Sequence, residues 1–331
     1  MARQPDRHHL FGTCNHAGGN DQERDITRRK EGDPASWGTH VRLLRSCFFS
    51  DPLAHPPFSN RFSNGLILMD SYHLPTGCGT WPAWWSFNLD WPYHGEIDIL
   101  EGIHRSRQNK ISIHSGDGCT LTPYIDQTQQ GVLDLVPSTP TPSFDPYDCY
   151  ALAGGDSGCG VLDETSDGSF GDPFNKQKGG VYARTPIPIL VLIMRLVDTA
   201  NTFEVLWTKQ TIQVYFFPRH AIPSDIECDK PDPTTWPTPI ANYTSPSCSP
   251  AEYFQDHFSV FDTTLCGQWA GNLTTWQGTL DGQTGGSCAA QTGYDTCEDY
   301  VLNEGEAFKQ AYWEVSHTTP DVPSGRADFK R

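Results

Sequence analysis

Residues 91–102, WPYHGEIDILEG, set three carboxylates, Glu96, Asp98 and Glu101, among Ile97, Ile99 and Leu100. On a strand, side chains at i and i+2 share a face about 6.7 Å apart, so Glu96 and Asp98 point one way while Ile97 and Ile99 point into a core. Strict alternation would put Leu100, not Glu101, beside the first two acids. A β-bulge after Asp98 adds one residue, returns Glu101 to the carboxylate face and leaves Ile99 and Leu100 to absorb the kink. Three acids in one row repel each other, so at neutral pH at least one should hold a proton while another stays ionised. A proton donor beside a nucleophile is what retaining glycoside hydrolysis needs, with the two carboxyls roughly 5 to 5.5 Å apart. A solvated acidic face, or a cation site built from the same oxygens, would use the same residues. The adjoining GTWPAWWSFNLDWP, 79–92, weighs against both, because sugar rings lay their apolar C–H faces on aromatic planes in open clefts.

The elements that must position these residues read as short strands: GLILMD at 65–70, AWWSFN at 83–88, GEIDILE at 95–101, KISIHS at 110–115 and IQVYFFP at 212–218. Turn clusters such as PTGCGTWP and SGDGC separate them, and no repeat, heptad or sustained 3.6-residue period appears. The pattern points to an antiparallel sandwich or barrel. One helix is expected over 303–313, NEGEAFKQAYW, with Asn303 as its cap and Glu306 three residues on.

The 331 residues suffice for one large all-β domain or two smaller ones, and 37% hydrophobic content supports a packed core. A net charge of −17 without a basic stripe disfavours nucleic acid and anionic membranes as partners. Eleven cysteines with no CxxC pair suggest disulfides over a metal site, with connectivity left open. Sequons at Asn242 (NYT) and Asn272 (NLT) agree with a secretory route. The N-terminus shows no apolar export segment, and the longest strongly apolar run, ILVLIM at 189–194, is too short to span a bilayer.

At these residues the chain resembles a known family. The run 73–119, HLPTGCGTWPAWWSFNLDWPYHGEIDILEGIHRSRQNKISIHSGDGC, is similar to glycoside hydrolase family sixteen, in particular the fungal endo-β-1,3(4)-glucanases or laminarinases with their bulged E-x-D-x-x-E motif. GCGV at 158–161, FNKQKGGVYA at 174–183, WTKQTIQVYFFPRHAIPSDI at 207–226, FDTTLCGQWAGN at 261–272 and CEDYVLNEGEAFKQAYWEV at 297–315 extend the likeness over most of 64–315. The resemblance implies a β-jelly-roll sandwich of two antiparallel sheets with a concave glucan cleft. It further implies endo-acting, retaining hydrolysis of β-1,3 and mixed β-1,3/1,4 glucan by an extracellular monomer that needs no cofactor and no metal. Carried over by motif, Glu96 is the nucleophile, Glu101 the acid/base and Asp98 the residue that tunes the nucleophile. His114 matches a strand histidine beside the carboxylates, and Trp91 and Trp269 match aromatics that line the cleft. Trp84 and Trp85 take opposite faces of one strand; Trp85 is expected in the cleft, while Trp81 and the inward member of the pair are expected in the core. A glucan transglycosylase and a non-catalytic glucan-binding lectin are the alternatives, and intact Glu96 and Glu101 argue against the lectin.

The chain departs from the family in four places. Residues 1–39 match neither a signal peptide nor the family's first strands and are expected to be irregular. Residues 40–315 form the sandwich domain, with atypical insertions at 46–61 and 184–205 that read as translated intron. Residues 316–331 are expected as an irregular tail. Loss of the family's terminal strands would leave the sandwich incomplete at both ends, with open sheet edges.

Overall fold

A computed structural model describes residues 24–26, 40–43, 61–63, 65–135, 144–153, 157–185, 211–228, 230–279, 283 and 285–321. The two expected insertions lie outside the described residues except for Arg61, Arg184 and Thr185.

Thirteen strands are described: β1 (Arg24–Ile26), β2 (His40–Leu43), β3 (Leu66–His73), β4 (Thr80–Phe87), β5 (Glu96–Glu101), β6 (Lys110–His114), β7 (Val132–Leu133), β8 (Cys159–Leu162), β9 (Gly180–Thr185), β10 (Ile212–Pro218), β11 (Ala241–Tyr243), β12 (Phe258–Leu265) and β13 (Tyr312–Asp321). They form a seven-stranded sheet ordered β1-β2-β13-β3-β9-β10-β11 and a six-stranded sheet ordered β12-β4-β5-β6-β8-β7. Every pairing is antiparallel except that of β13 with β2. The five runs expected as strands are β3, β4, β5, β6 and β10.

Period-two patterning explains which faces meet. Ile67 and Met69 of β3, Tyr182 of β9 and Val214 of β10 pack with Trp84, Ile97, Ile99, Ile111 and Ile113 of the opposing sheet in one core. The alternate residues Leu68, Val181, Ala183, Tyr215 and Phe217 are buried on the outer face of the first sheet, beneath Ile226 and Trp236. With both faces covered, β3, β9 and β10 read as near-continuous apolar runs. In the six-stranded sheet only one face is core. Each fully buried Ile or Leu on it contributes about 1.5–3 kcal/mol, which fixes the register and turns the opposite, polar side chains outward together.

The chain near its described end differs from expectation. The helix expected over 303–313 is instead Cys297–Asn303 followed by a 3-10 helix, Gly305–Gln310. Thr296 is the stronger start, since its side chain accepts from the Asp299 N–H while its hydroxyl reaches the Asp299 carboxylate. Asn303 is that helix's last residue. Trp313 is wholly buried, and its indole N–H donates to Thr263 Oγ1 at 3.0 Å, so the chain is drawn into β13 from Tyr312. Residues 316–321, expected in an irregular tail, continue that strand, and Arg24–Ile26, expected irregular, forms β1. The Asn242 side chain is buried in β11, accepting from Thr211 Oγ1 and Thr244 Oγ1. Asn272 caps the short helix Leu273–Gln277.

Between β12 and β13 lies a small helical lobe with its own core of Cys78, Cys266, Trp276, Cys288 and Cys297. Disulfides Cys78–Cys288 and Cys266–Cys297 staple it to the turn before β4 and to the end of β12. Cys119–Cys248 and Cys149–Cys159 close loops elsewhere.

Candidate active site

The polar face of the six-stranded sheet carries a ladder. Across β5 and β6, Glu96 faces His114, Asp98 faces Ser112 and Glu101 faces Lys110, so three residues of β5 from Asp98 span the length of two on β6. On the other side, Trp85 faces Asp98, Trp84 faces Leu100 and Ala83 faces Glu101, leaving Ile99 unpaired in the bulge. Ile99 and Leu100 are both buried in the inter-sheet core. The extra residue therefore returns Glu101 to the face of Glu96 and Asp98.

A bulge orphans backbone groups, and a buried side chain satisfies them here. Asn109 Oδ1 accepts from the Glu101 N–H at 2.9 Å, and Asn109 Nδ2 donates to the Ile99 carbonyl at 2.9 Å. Ser169 Oγ in turn accepts from the Asn109 N–H at 3.0 Å. One amide thus clamps both sides of the kink, where an unmet pair would cost about 1–3 kcal/mol per group.

The ladder forms the floor of a cavity of about 280 Å³, whose lining includes Glu96, Asp98, Glu101, Lys110, Ser112 and His114 from that floor. Trp81 Nε1 donates to Glu101 Oε1 at 2.8 Å. His114 Nε2 lies 3.2 Å from Asp98 Oδ2. Although Glu101 keeps some exposure to the cavity, its carboxyl is enclosed by protein. Burial first, then the charge of Asp98, push Glu101 up to about 7, against the opposing pull of Lys110, the Trp81 hydrogen bond and His114. Glu101 can therefore hold a proton near neutrality. Burial also raises the neighbouring Asp262, which accepts from Trp85 Nε1 at 3.0 Å.

Trp85 and Trp269 line the cavity, and Trp84 is fully buried on the other face of β4. Trp269 arrives from the lobe on the helix Gly267–Ala270, immediately after Cys266. Gly267 has φ +66°, and a Cβ there would stand 3.2 Å from the Trp81 ring, so only glycine lets the chain turn that close. Trp81 and Trp269 meet edge to face at 5.7 Å. Trp81 therefore lines the cavity and holds a carboxylate, contrary to its expected place in the core. Trp91 is not among the lining residues; it sits half-buried in the turn before β5. Sequence reasoning missed Trp81, Lys110 and Asn109. Among the described residues, Glu96, Asp98 and His114 are the group that could hold a metal ion, with one ligand atom from each inside 4.8 Å of the others.

The sequence profile described as the XgeA-like catalytic GH16 domain matches residues 58–187 and 200–319. Its interruption at 188–199 falls inside the segment 184–205. A probable endo-1,3(4)-beta-glucanase of Aspergillus clavatus is 35% identical over 257 residues, 77% of this chain and 33% of the relative. An endo-1,3(4)-beta-glucanase of Arthroderma benhamiae is 32% identical over 272 residues, 80% of this chain and 50% of the relative. The chain thus spans a third to a half of the length of these curated relatives. Among solved structures, an elongating GH family 16 beta-1,3-glucosyltransferase superposes with TM-score 0.58 at 34% identity, over 78% of this chain and 73% of that one. Laminarinase 16A of Phanerochaete chrysosporium, solved with 6-O-glucosyl-laminaritriose in donor and acceptor sites, gives TM-score 0.61 at 28% identity, again over 78% of this chain and 73% of that one.

Proposed function

This chain belongs to the XgeA-like catalytic GH16 family, and from that premise we propose that it cleaves internal β-1,3 and mixed β-1,3/1,4 bonds of glucans with retention of anomeric configuration. The observation that carries the proposal is the bulge, which brings a buried carboxyl with proton affinity near neutrality, Glu101, onto the face of Glu96. Glu96 Oε attacks the anomeric carbon while Glu101 gives its proton to the departing glycosidic oxygen, so a C1–O bond to Glu96 forms as the bond to the leaving glucan breaks. Glu101, now ionised, takes a proton from water, whose oxygen attacks C1 and expels Glu96 as carboxylate. Asp98, between the two and beside His114, orients Glu96 and keeps charge on the row. Trp85 and Trp269 stack on sugar rings, while Trp81 fixes the Glu101 carboxyl.

No cofactor enters this chemistry. The substrate class is supported by the family and by the glucan-bound laminarinase. The disulfides between described residues support an extracellular, oxidising location, and among the described residues no helix is long and apolar enough to cross a membrane. A second reading is transfer to an acceptor glucan in place of water, favoured by the likeness to the elongating glucosyltransferase.

The test is incubation with laminarin, following reducing-end release, the anomeric form first produced by proton NMR, and product length. β-Anomer products shorter than the substrate support retaining hydrolysis, and longer products support transfer. Absence of any cleavage or elongation, with the folded chain binding glucan, would leave the lectin.

A further inference from the structure

The bulge has a second effect on the ladder. By inserting Ile99, it sets Glu101 opposite Lys110 instead of Asn109. Lys110, Ser112 and His114 share one face of β6 and all line the cavity. A lysine so placed is costly to bury unless its ammonium is held. Here Nζ lies 2.9 Å from Asp134 Oδ2, the two side chains keeping only 8% and 12% of their exposure. The same ammonium stands 5.1 Å from the centre of the Trp269 ring, a cation–π contact with a wall of the cavity.

We propose that Lys110 is a positioning residue of the active site: anchored by Asp134, it fixes the Trp269 ring and sets how readily the facing Glu101 gives up its proton. The inference rests on Glu101 being the acid/base. The geometry makes Lys110 the link between two parts that sequence places far apart. Its stem crosses from the strand facing the acid to the ring carried by the lobe. Asp134, immediately after β7, pairs with it, so Glu101 faces an ion-paired cation. The titratable and charged groups around Glu101 are Glu96 and Asp98 on its own strand, Lys110 and His114 on β6, Asp262 on β12, and Asp134 behind Lys110. Of these, Lys110 is the one permanent cation facing the acid.

The pair makes opposite predictions for its two members. Lys110→Met keeps stem and packing but removes the cation, so Glu101 should hold its proton to higher pH by roughly 0.5 to 1 pH unit. Asp134→Asn leaves the cation unneutralised and should move Glu101 the other way, while Lys110→Arg should keep it close to the wild-type value. The titration is read by carbon-13 NMR of the side-chain carboxyls in the full chain, with the Glu101 signal assigned by its loss in Glu101→Gln. It needs no turnover. The basic limb of kcat/KM on laminarin should follow the same directions, with KM rising several-fold in Lys110→Met as Trp269 loses its cation contact. An unchanged Glu101 titration in both Lys110→Met and Asp134→Asn overturns the proposal. Should Lys110→Met not fold, Asp134→Asn alone decides. A wild-type chain that titrates as expected but leaves laminarin intact would sink the glucanase reading while leaving the coupling of Lys110 to Glu101 standing.

Discussion

Two regions meet at the cavity and hold their residues by different means. Strands β4, β5 and β6 carry the acids, Trp81, Trp85, Lys110 and His114 on a sheet whose other face is packed into the inter-sheet core, so burial and register do the positioning. The helical lobe carries Trp269 on a four-residue helix and has a small core dominated by cystines and Trp276. Two disulfides supply what its short helices cannot. The difference matches the tasks proposed for the two regions. Proton transfer and attack at carbon tolerate errors of well under an ångström, which a packed sheet can hold. Stacking on a sugar face tolerates more, and a stapled lobe is sufficient for it.

The comparison can be broken at four points. The largest effect belongs to the sheet: Glu96→Gln keeps shape while removing the attacking charge, and turnover should fall at least about 10³-fold with oligosaccharide affinity retained. Near-normal turnover would remove Glu96 from its role. Glu101→Ala should instead retain activity on substrates with good leaving groups and recover with azide, which replaces the deprotonated water.

Next is the clamp on the bulge. Asn109→Ala touches no substrate, yet it unties the Ile99 carbonyl and the Glu101 N–H. It should cost about 1–3 kcal/mol of stability by denaturant titration and lower kcat by roughly 10- to 100-fold with little change in KM. Lost stability with unchanged kcat would show that strand pairing alone holds Glu101 in place.

The lobe should respond in the opposite sense. Cys266→Ser with Cys297→Ser removes the staple across 31 residues, worth about 3 kcal/mol to the folded state. With Trp269 loosened, KM for laminarin should rise roughly 5-fold, the low end of an aromatic contact's worth, while kcat on a small activated glycoside stays within about 2-fold. A large fall in kcat there would mean that the lobe positions the acids too.

The fourth point is a pH dependence of stability. Glu101 has its proton affinity raised in the folded chain, to about 7 from an ordinary 4.5. Between those values the folded state binds more protons than the unfolded state, so this group's contribution is complete below about 4.5 and is lost as pH rises through 7. Glu101→Gln cannot titrate, and its melting temperature relative to wild type should climb from pH 5 to pH 8. A constant difference would place the Glu101 carboxyl in contact with bulk water.

The acids are legible in sequence because period two with one extra residue leaves its mark within a dozen letters, and five strands are legible from their apolar runs. Trp81 is legible too: residues 81, 83 and 85 share parity, so placing Trp85 in the cleft should carry Trp81 with it. The same rule places Lys110 four residues before His114, but its partner across β5 depends on which residue the bulge skips, a property of two strands together. Asn109 leaves no trace, since nothing in a lone asparagine shows that its amide spans a kink ten residues earlier. Nor does the lobe, because cystines joining positions as distant as 78 and 288 cannot be matched by counting. Trp91 shows the limit of the family likeness: matched to a cleft aromatic, it sits half-buried in the turn between β4 and β5, outside the cavity lining.

The order of the seven-stranded sheet sets the order in which it can be assembled. β13 lies between β2 and β3, pairing with both. A ribosome delivers β2 and β3 early and β13 only after the whole catalytic sheet and the lobe have emerged. Until then β3 offers an unpaired edge of eight residues on one side, and β1 with β2 can form at most an isolated ribbon. The six-stranded sheet waits less: β4, β5 and β6 are consecutive neighbours, and the edge of β4 is covered once β12 emerges, ahead of β13. Synthesis therefore completes the acid-bearing sheet before its partner, whose β3 edge stays open to aggregation for longest.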